Sequence, residues 1–219
     1  MIQKDYFLRM MEVLAAAMAK VLYNKENKDY INAEKEIEDA AKTLVGLDLR
    51  LIGILNVDDV LKLMKTSDLY AGRCLVSAEL LKEHSALHKI KGNETEAHGF
   101  EIKSLHLYIE AMLSKDLPKP EQYFPRVEDL ISNVSQNEIS DQLNLSLIDY
   151  YKFSGQFSKS ENIIFELLNK KNNEIFDKAV SFYKELKSKT FEELKAGNFS
   201  IEEVNEGLNE VNSLERKLN

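Results

Sequence analysis

The 219-residue sequence contains little of what turns and loops are made from, with only 8 glycines and 3 prolines. Average usage would give roughly 15 glycines and 11 prolines in a chain of this length. β-Sandwiches and α/β enzymes need many turns of the kind these residues form. The shortage therefore argues against both classes and predicts long helices joined by short connections. It also leaves few loops on which an active site could be built.

Cysteine is scarce as well, and acidic residues outnumber basic ones by 37 to 29. The single cysteine, Cys74, excludes an intramolecular disulfide and a multi-cysteine zinc site. It lies in an apolar helical stretch, which predicts a small buried side chain, whereas a nucleophile would need a histidine nearby as base. A formal net charge of −8 without a dense basic stretch argues against nucleic acid as a partner.

Long hydrophobic runs are missing too. The stretch 13–19 resembles the core of a signal peptide, but it is too short to span a bilayer, and Asp5, Arg9 and Glu12 lie where such a peptide would be cationic and then uninterrupted. We therefore expect a structural first helix, a cytoplasmic protein and no membrane partner. Helical spacing predicts that one face of this helix is buried, formed by Ile2, Tyr6, Met10, Val13, Ala17 and Val21.

What the sequence does contain is helical periodicity along nearly its whole length. It predicts one all-α domain over residues 1–219 with about 9–11 helices. The three prolines cluster at 116–125 and mark a possible soft boundary. Three S/T-x-x-E sequences predict capping boxes at helix starts, at Ser158, Thr190 and Ser200.

The predicted turns repeat. Lys28, Gly92 and Gly155 are spaced 64 and 63 residues apart, and each is followed five residues later by a small residue: Ala33, Ala97 and Ser160. A small residue is expected where the second helix of a hairpin crosses the first most closely. Gly197 begins a degenerate fourth copy.

These turns resemble the tetratricopeptide repeat pattern G-x-[YF]-x-x-A, most closely at 155–160, where Tyr151 matches the aromatic residue of the preceding helix. The period is not 34 residues, and no Trp-Leu-Gly sequence opens a unit. The resemblance implies a stack of antiparallel helical hairpins forming a right-handed superhelix. Such stacks create concave grooves for proteins or peptides.

The whole chain is also similar to an uncharacterised bacterial family of tetratricopeptide-like proteins with no assigned function. The opening residues 1–10 and the closing segments 192–197 and 202–208 carry that similarity. The resemblance supports the fold and implies no catalytic residues.

The most suggestive chemistry is the pair His84 and His88, spaced as in the H-E-x-x-H motif of metalloproteases. Ser85 occupies the position of the general-base glutamate, which removes that mechanism. A zinc site would need a third ligand, for which His98 across the Gly92 turn is the candidate. The alternative is a partly exposed pair near the end of a hairpin. An acidic run is predicted to be a solvated helix face with local lysine partners: Glu34, Glu36, Glu38 and Asp39.

We therefore expect a protein- or peptide-binding scaffold rather than an enzyme, with no catalytic, cofactor-binding or metal-binding residues. One alternative is a ligand-sensing regulatory domain that acts through a partner protein. The other is a metal-binding enzyme using His84, His88 and Cys74. The sequence leaves the partner's identity and the oligomeric state open.

Overall fold

The computed structural model describes residues 2–65, 69–134, 139–170 and 175–218. Within these ranges the chain forms twelve α-helices and no strand, which confirms the all-α class. Twelve exceeds the expected 9–11 helices. Helix α9 ends at Asn169 and α10 begins at Ile175, and the sequence between them holds no glycine or proline to mark the break.

Residues 1–139 form a first compact unit. Its helices are α1 (Ile2–Glu26), α2 (Tyr30–Ala40), α3 (Leu49–Ile54), α4 (Val57–Met64), α5 (Tyr70–Ile90), α6 (Glu94–Leu113) and α7 (Phe124–Asn133). A π-helical turn, Ala41–Val45, continues α2, and a 3-10 turn, Pro120–Tyr123, precedes α7. The α5–α6 hairpin is the centre of this unit, because α1, α2 and α4 pack against α5 while α4 and α7 pack against α6.

Residues 140–219 form a second compact unit. Its helices are α8 (Asp141–Phe153), α9 (Phe157–Asn169), α10 (Ile175–Leu186), α11 (Phe191–Ala196) and α12 (Ile201–Leu218). Helix α8 packs on α9, and α10 packs on both α9 and α12 around an apolar core that includes Phe182 and Tyr183. The proline segment at 116–125 lies inside the first unit. The single domain expected from the sequence stays a prediction.

Four turns share one hydrogen-bonding pattern, which extends the repeat seen in the sequence. A residue with positive φ donates its N–H to the carbonyl three residues earlier, and the next N–H reaches the carbonyl five residues earlier. This is the Schellman arrangement that ends helices. The residues with positive φ are Lys28 (59°), Gly92 (79°), Gly155 (75°) and Asn198 (58°).

The fourth turn corrects the sequence prediction by one position, because Asn198 rather than Gly197 adopts the left-handed conformation. Gly197 has φ −84°, so its backbone conformation does not require glycine. Its close neighbours do. A Cβ at this position would overlap the ring of Phe157 and lie 2.8 Å from the carbonyl oxygen of Gly155. The glycine therefore permits a close approach between two turns of the second unit.

The small residues after the first three turns are fully buried, as predicted for helix crossings. Serines add hydrogen bonds there. The Ser85 hydroxyl donates to the carbonyl of Ala97 at 2.8 Å, and the Ser160 hydroxyl donates to the carbonyl of Ile148 at 2.9 Å. Each bond links the two helices of one hairpin, since the serine and its carbonyl partner lie on opposite helices.

Two of the three predicted capping boxes form. Thr190 with Glu193 and Ser200 with Glu203 exchange the two reciprocal hydrogen bonds. The box predicted at Ser158 is wrong, because the N-cap residue of α9 is Gln156, two positions earlier, and Ser158 lies inside the helix. The Ser158 hydroxyl instead donates to the carbonyl of Asn198 at 3.3 Å.

The buried face of α1 differs from the predicted one. Met10 and Val21 are buried as expected, but Tyr6 and Val13 are 56% and 47% exposed. Phe7 and Leu14 are buried in their place. Apolar residues lie on nearly every side of α1, so spacing alone could not select the face that packs on α2 and α5. In the described parts of the chain, no helix is both long enough and apolar enough to cross a membrane.

Candidate functional site

An open groove of about 700 Å³ runs along α1 in the first unit. One wall consists of eight apolar side chains of α1: Phe7, Leu8, Met11, Leu14, Ala15, Met18, Ala19 and Leu22. The 3-10 turn and α7 supply Gln122, Tyr123 and Arg126, and α5 supplies Glu79. The groove is therefore apolar along α1 and polar opposite it.

The apolar wall forms a continuous strip because its residues recur every three or four positions along α1. From residue 8 to residue 22 the strip extends about 21 Å, at 1.5 Å per residue. Leu8 and Leu22, near its two ends, are 50% and 55% exposed. This length corresponds to about four turns of a second helix laid alongside.

The opposite wall is held by contacts within the unit. The Nε of Arg126 lies 3.2 Å from a carboxylate oxygen of Glu79, whose side chain is mostly buried. The Arg126 guanidinium also lies over the Tyr123 ring, 5.6 Å from its centroid. These contacts hold the three side chains against one another, so the wall is formed by residues of the unit itself.

One edge of the apolar strip carries more acidic than basic residues. Asp5, Glu12 and Glu26 are all exposed, beside one exposed base, Arg9. Glu12 lies four residues after Leu8 and three before Ala15, so helical geometry places it beside both strip residues. Asp5 precedes Glu12 by seven residues and Glu26 follows it by fourteen, intervals that keep all three on one side of α1.

A second cluster lies between α2 and α5 and contains both predicted histidines. The spacing of His84 and His88 places their rings on one face of α5, with centroids 4.6 Å apart. Glu34 of α2 joins them, its Oε1 atom 3.4 Å from Nε2 of His84. One potential ligand atom from each residue lies within 4.8 Å of the others. His98, the third ligand considered from the sequence, is not in this group.

Packing and charge fix the protonation preferences of this cluster. Burial lowers the pKa of His84, and the charge of His88 lowers it further, against the opposing effect of Glu34. Burial opposes ionisation of Glu34, but its ion pair with Lys91 and its contact with His84 hold its pKa below the usual value. The cluster thus favours a neutral imidazole beside a carboxylate.

The acidic run of α2 is more than a solvated face with local partners. Glu34, Glu36 and Glu38 each form an ion pair with a residue far away in sequence, respectively Lys91, Lys20 and Arg50. Lys42, an expected local partner, instead lies 3.8 Å from Asp48. These pairs connect α2 to its neighbours, which periodicity along one helix could not reveal.

Residues 1–216 match the family of unknown function DUF6483. The chain belongs to this family. No curated protein and no solved structure matches it. Membership in DUF6483 confirms the resemblance to an uncharacterised family.

Cys74 of this DUF6483 chain lies in the core, as predicted for a small buried side chain. It is fully buried, and its Sγ atom lies 3.6 Å from Sδ of Met64. Burial raises the pKa of the thiol to about 12, an effect reinforced by the charge of Glu110. The thiolate required of a nucleophile is therefore strongly disfavoured.

Sequence reasoning missed the groove and Glu34 for different reasons. The sequence contains a signal for the groove, because Leu8, Met11 and Met18 follow helical spacing on a face of α1 other than the one predicted to be buried. Glu34 had none, since it lies 50 residues before His84 within a run typical of an exposed helix face. Only the packing of α2 on α5 brings it to the histidines of this DUF6483 chain.

Proposed function

We propose that this protein binds an amphipathic helix of a partner protein in the groove along α1. The observation that carries the proposal is the exposed apolar strip from Leu8 to Leu22, which faces an ordered polar wall. Contiguous apolar surface of this kind marks interaction sites on soluble proteins. A second helix laid in such a groove would cover its apolar wall, the mode by which amphipathic helices bind hydrophobic grooves.

Charge supports a partner helix with basic flanks. Asp5, Glu12 and Glu26 border the strip, and the whole chain carries a formal net charge of −8. Lysine or arginine beside the partner's apolar face would be attracted to this edge, and such pairing contributes mainly to association rate and specificity. An acidic partner helix would meet like charges along the same edge.

Methionine gives the strip a further property suited to binding. Met11 and Met18 both line the groove and are partly exposed. Their unbranched side chains adapt to differently shaped partners. The proposed function is therefore a scaffold that accepts a class of helices rather than a catalyst that needs fixed polar groups.

The proposal extends to the architecture. Helix pairs α1–α2, α5–α6 and α8–α9 share the Schellman turn and the small buried residue, which supports a tetratricopeptide-like arrangement of hairpins. A lone buried cysteine suits a reducing compartment, which supports a cytoplasmic location. Bacterial origin remains a prediction from the sequence resemblance.

Fluorescence polarisation with labelled peptides tests the function. The probes are 16-residue helices with one apolar face flanked by lysines, the same helix flanked by glutamates, and a scrambled lysine peptide. We expect the full chain to bind the lysine-flanked helix at least tenfold more tightly than the other two. Failure to bind it, or equal binding of the scrambled peptide, would overturn the proposal.

Two alanines of α1 provide matched variants. Ala19 and Ala16 are both exposed, but only Ala19 lines the groove. We expect Ala19→Glu to weaken peptide binding at least tenfold and Ala16→Glu to leave it unchanged. Equal effects of the two substitutions would contradict the proposal. So would a dimer in light scattering that Ala19→Glu dissociates, because the groove would then be a self-interface.

A further inference from the structure

We infer that Glu34, His84 and His88 form a binding site for a divalent transition-metal ion, specifically Zn²⁺. The site joins α2 to α5 and is independent of the groove along α1. It replaces the expectation from the sequence that the chain has no metal-binding residues. Two imidazoles and one carboxylate are a donor set that Zn²⁺ favours.

Distance is the first support. One ligand atom from each of the three residues lies within 4.8 Å of the others. Ligands of a tetrahedral zinc ion, each about 2.0–2.1 Å from the metal, lie roughly 3.4 Å apart. Side-chain rotations that move the ligand atoms by about an ångström would therefore bring the three donors into coordination without rearranging either helix.

The contact between His84 and Glu34 is the second support. Nε2 of His84 faces Oε1 of Glu34 at 3.4 Å, which matches the spacing of roughly 3.4 Å between two ligands of one tetrahedral zinc ion. Coordination through Nε2 leaves Nδ1 of His84 as the protonated nitrogen. The His84 side chain is only 9% exposed, so the ligand is held within the protein rather than at its surface.

The surroundings hold the rings in place. Phe100 of α6 contacts both imidazoles edge-on, with centroid distances of 4.6 Å to His84 and 5.1 Å to His88. Ligands fixed by packing lose less freedom when they bind a metal. Phe100 therefore favours the pairing of the two rings that a bound ion requires.

Glu34 can serve the metal and Lys91 together. Its Oε1 atom faces His84, whereas its Oε2 atom accepts a hydrogen bond from Lys91. Coordination through Oε1 would leave the Lys91 contact intact, which is the kind of outer partner that orients ligating carboxylates. Three protein ligands leave the fourth tetrahedral position to water.

Zinc titration of the metal-stripped full chain tests the site, using calorimetry and elemental analysis of the dialysed protein. We expect one Zn²⁺ per chain and a thermal midpoint that rises with zinc concentration, because the ion binds the folded state. Co²⁺ should give the visible absorption of a tetrahedral complex. No stoichiometric zinc, or no change in the midpoint, would overturn the inference.

Variants assign the ligands. We expect Glu34→Gln to weaken zinc binding at least tenfold and His88→Gln to abolish it, with helix content unchanged in circular dichroism. His98→Gln is the matched control, a histidine on the neighbouring helix outside the cluster, and should bind zinc like the wild type. If His98→Gln loses zinc while Glu34→Gln retains it, the assignment of Glu34 is wrong. A variant that unfolds would be replaced by Glu34→Ala or His88→Ala in the same titration.

Discussion

Gly207 of α12 packs against the ring of Tyr183 of α10, so closely that a Cβ on residue 207 would overlap the ring atoms. The ring is fixed at the same end, because the Tyr183 hydroxyl donates to a carboxylate oxygen of Glu161 at 2.6 Å. Tyr183 is also fully buried. One glycine therefore sets how closely two helices of the second unit approach.

The first prediction concerns this contact. Gly207→Ala should lower the free energy of unfolding by about 1–3 kcal/mol, the usual cost of overpacking a core. Gly99→Ala is the control, since Gly99 is an exposed position within α6 and no atom would lie within 4 Å of its Cβ. It should raise stability by about 0.5–1 kcal/mol through helix propensity. Urea unfolding of both variants measures these changes. Equal stabilities of the two variants would show that the contact with Tyr183 does not restrict the side chain at position 207.

A second prediction uses the shared turns. Lys28 adopts φ 59°, a conformation that costs an L-residue with a side chain roughly 1–2 kcal/mol. We expect Lys28→Gly to raise the free energy of unfolding by about 0.5–1 kcal/mol. The relief of the φ strain is larger than this, but the greater conformational entropy of glycine in the unfolded chain offsets part of it. Gly92→Lys should lower it by about 1 kcal/mol, because Gly92 has φ 79° and open space around its Cβ. Changes of the same sign in the two variants would contradict the common geometry.

The third prediction concerns pH. His106 is 5% exposed, and burial lowers its pKa below 6.5 despite the nearby carboxylates of Glu110 and Asp58. The unfolded chain therefore binds the proton more readily than the folded chain. The contribution of neutral His106 to the free energy of unfolding is therefore fully present above pH 6.5. It decreases as the pH falls towards the lowered pKa, by at most about 1.4 kcal/mol per pH unit.

Urea unfolding at pH 7.5, 6.5 and 5.5, in the presence of a chelator, measures this slope. His106→Gln removes the titrating group, so its stability should depend less on pH than that of the wild type, whatever its absolute value. An unchanged slope in His106→Gln would mean that other groups take up the protons.

The fold class and the turn positions followed from sequence because they depend on local chemistry. Few glycines and prolines leave helices as the main option, and Gly92 and Gly155 end helices where their neighbours predict. Lys28 could be placed only by analogy with these two turns, because lysine has no preference for positive φ.

The sites depend on tertiary packing, and so they were predicted only in part. His84 and His88 share a helix face by spacing alone, which the structure confirms. Glu34 reaches them only because α2 packs on α5, a contact that no local pattern specifies. The strip along α1 was visible as periodicity, but choosing between its two apolar faces required knowing which one the rest of the unit covers.

The two thioethers in the groove make its surface chemically alterable. Met11 and Met18 are accessible there, whereas Met10 and Met64 are buried in the core. Peroxide converts an accessible thioether to a sulfoxide, which turns an apolar contact into a strong hydrogen-bond acceptor. Oxidised protein would thus carry polar groups in the middle of its apolar wall. The oxidation state of a preparation is therefore part of the chemical identity of this surface.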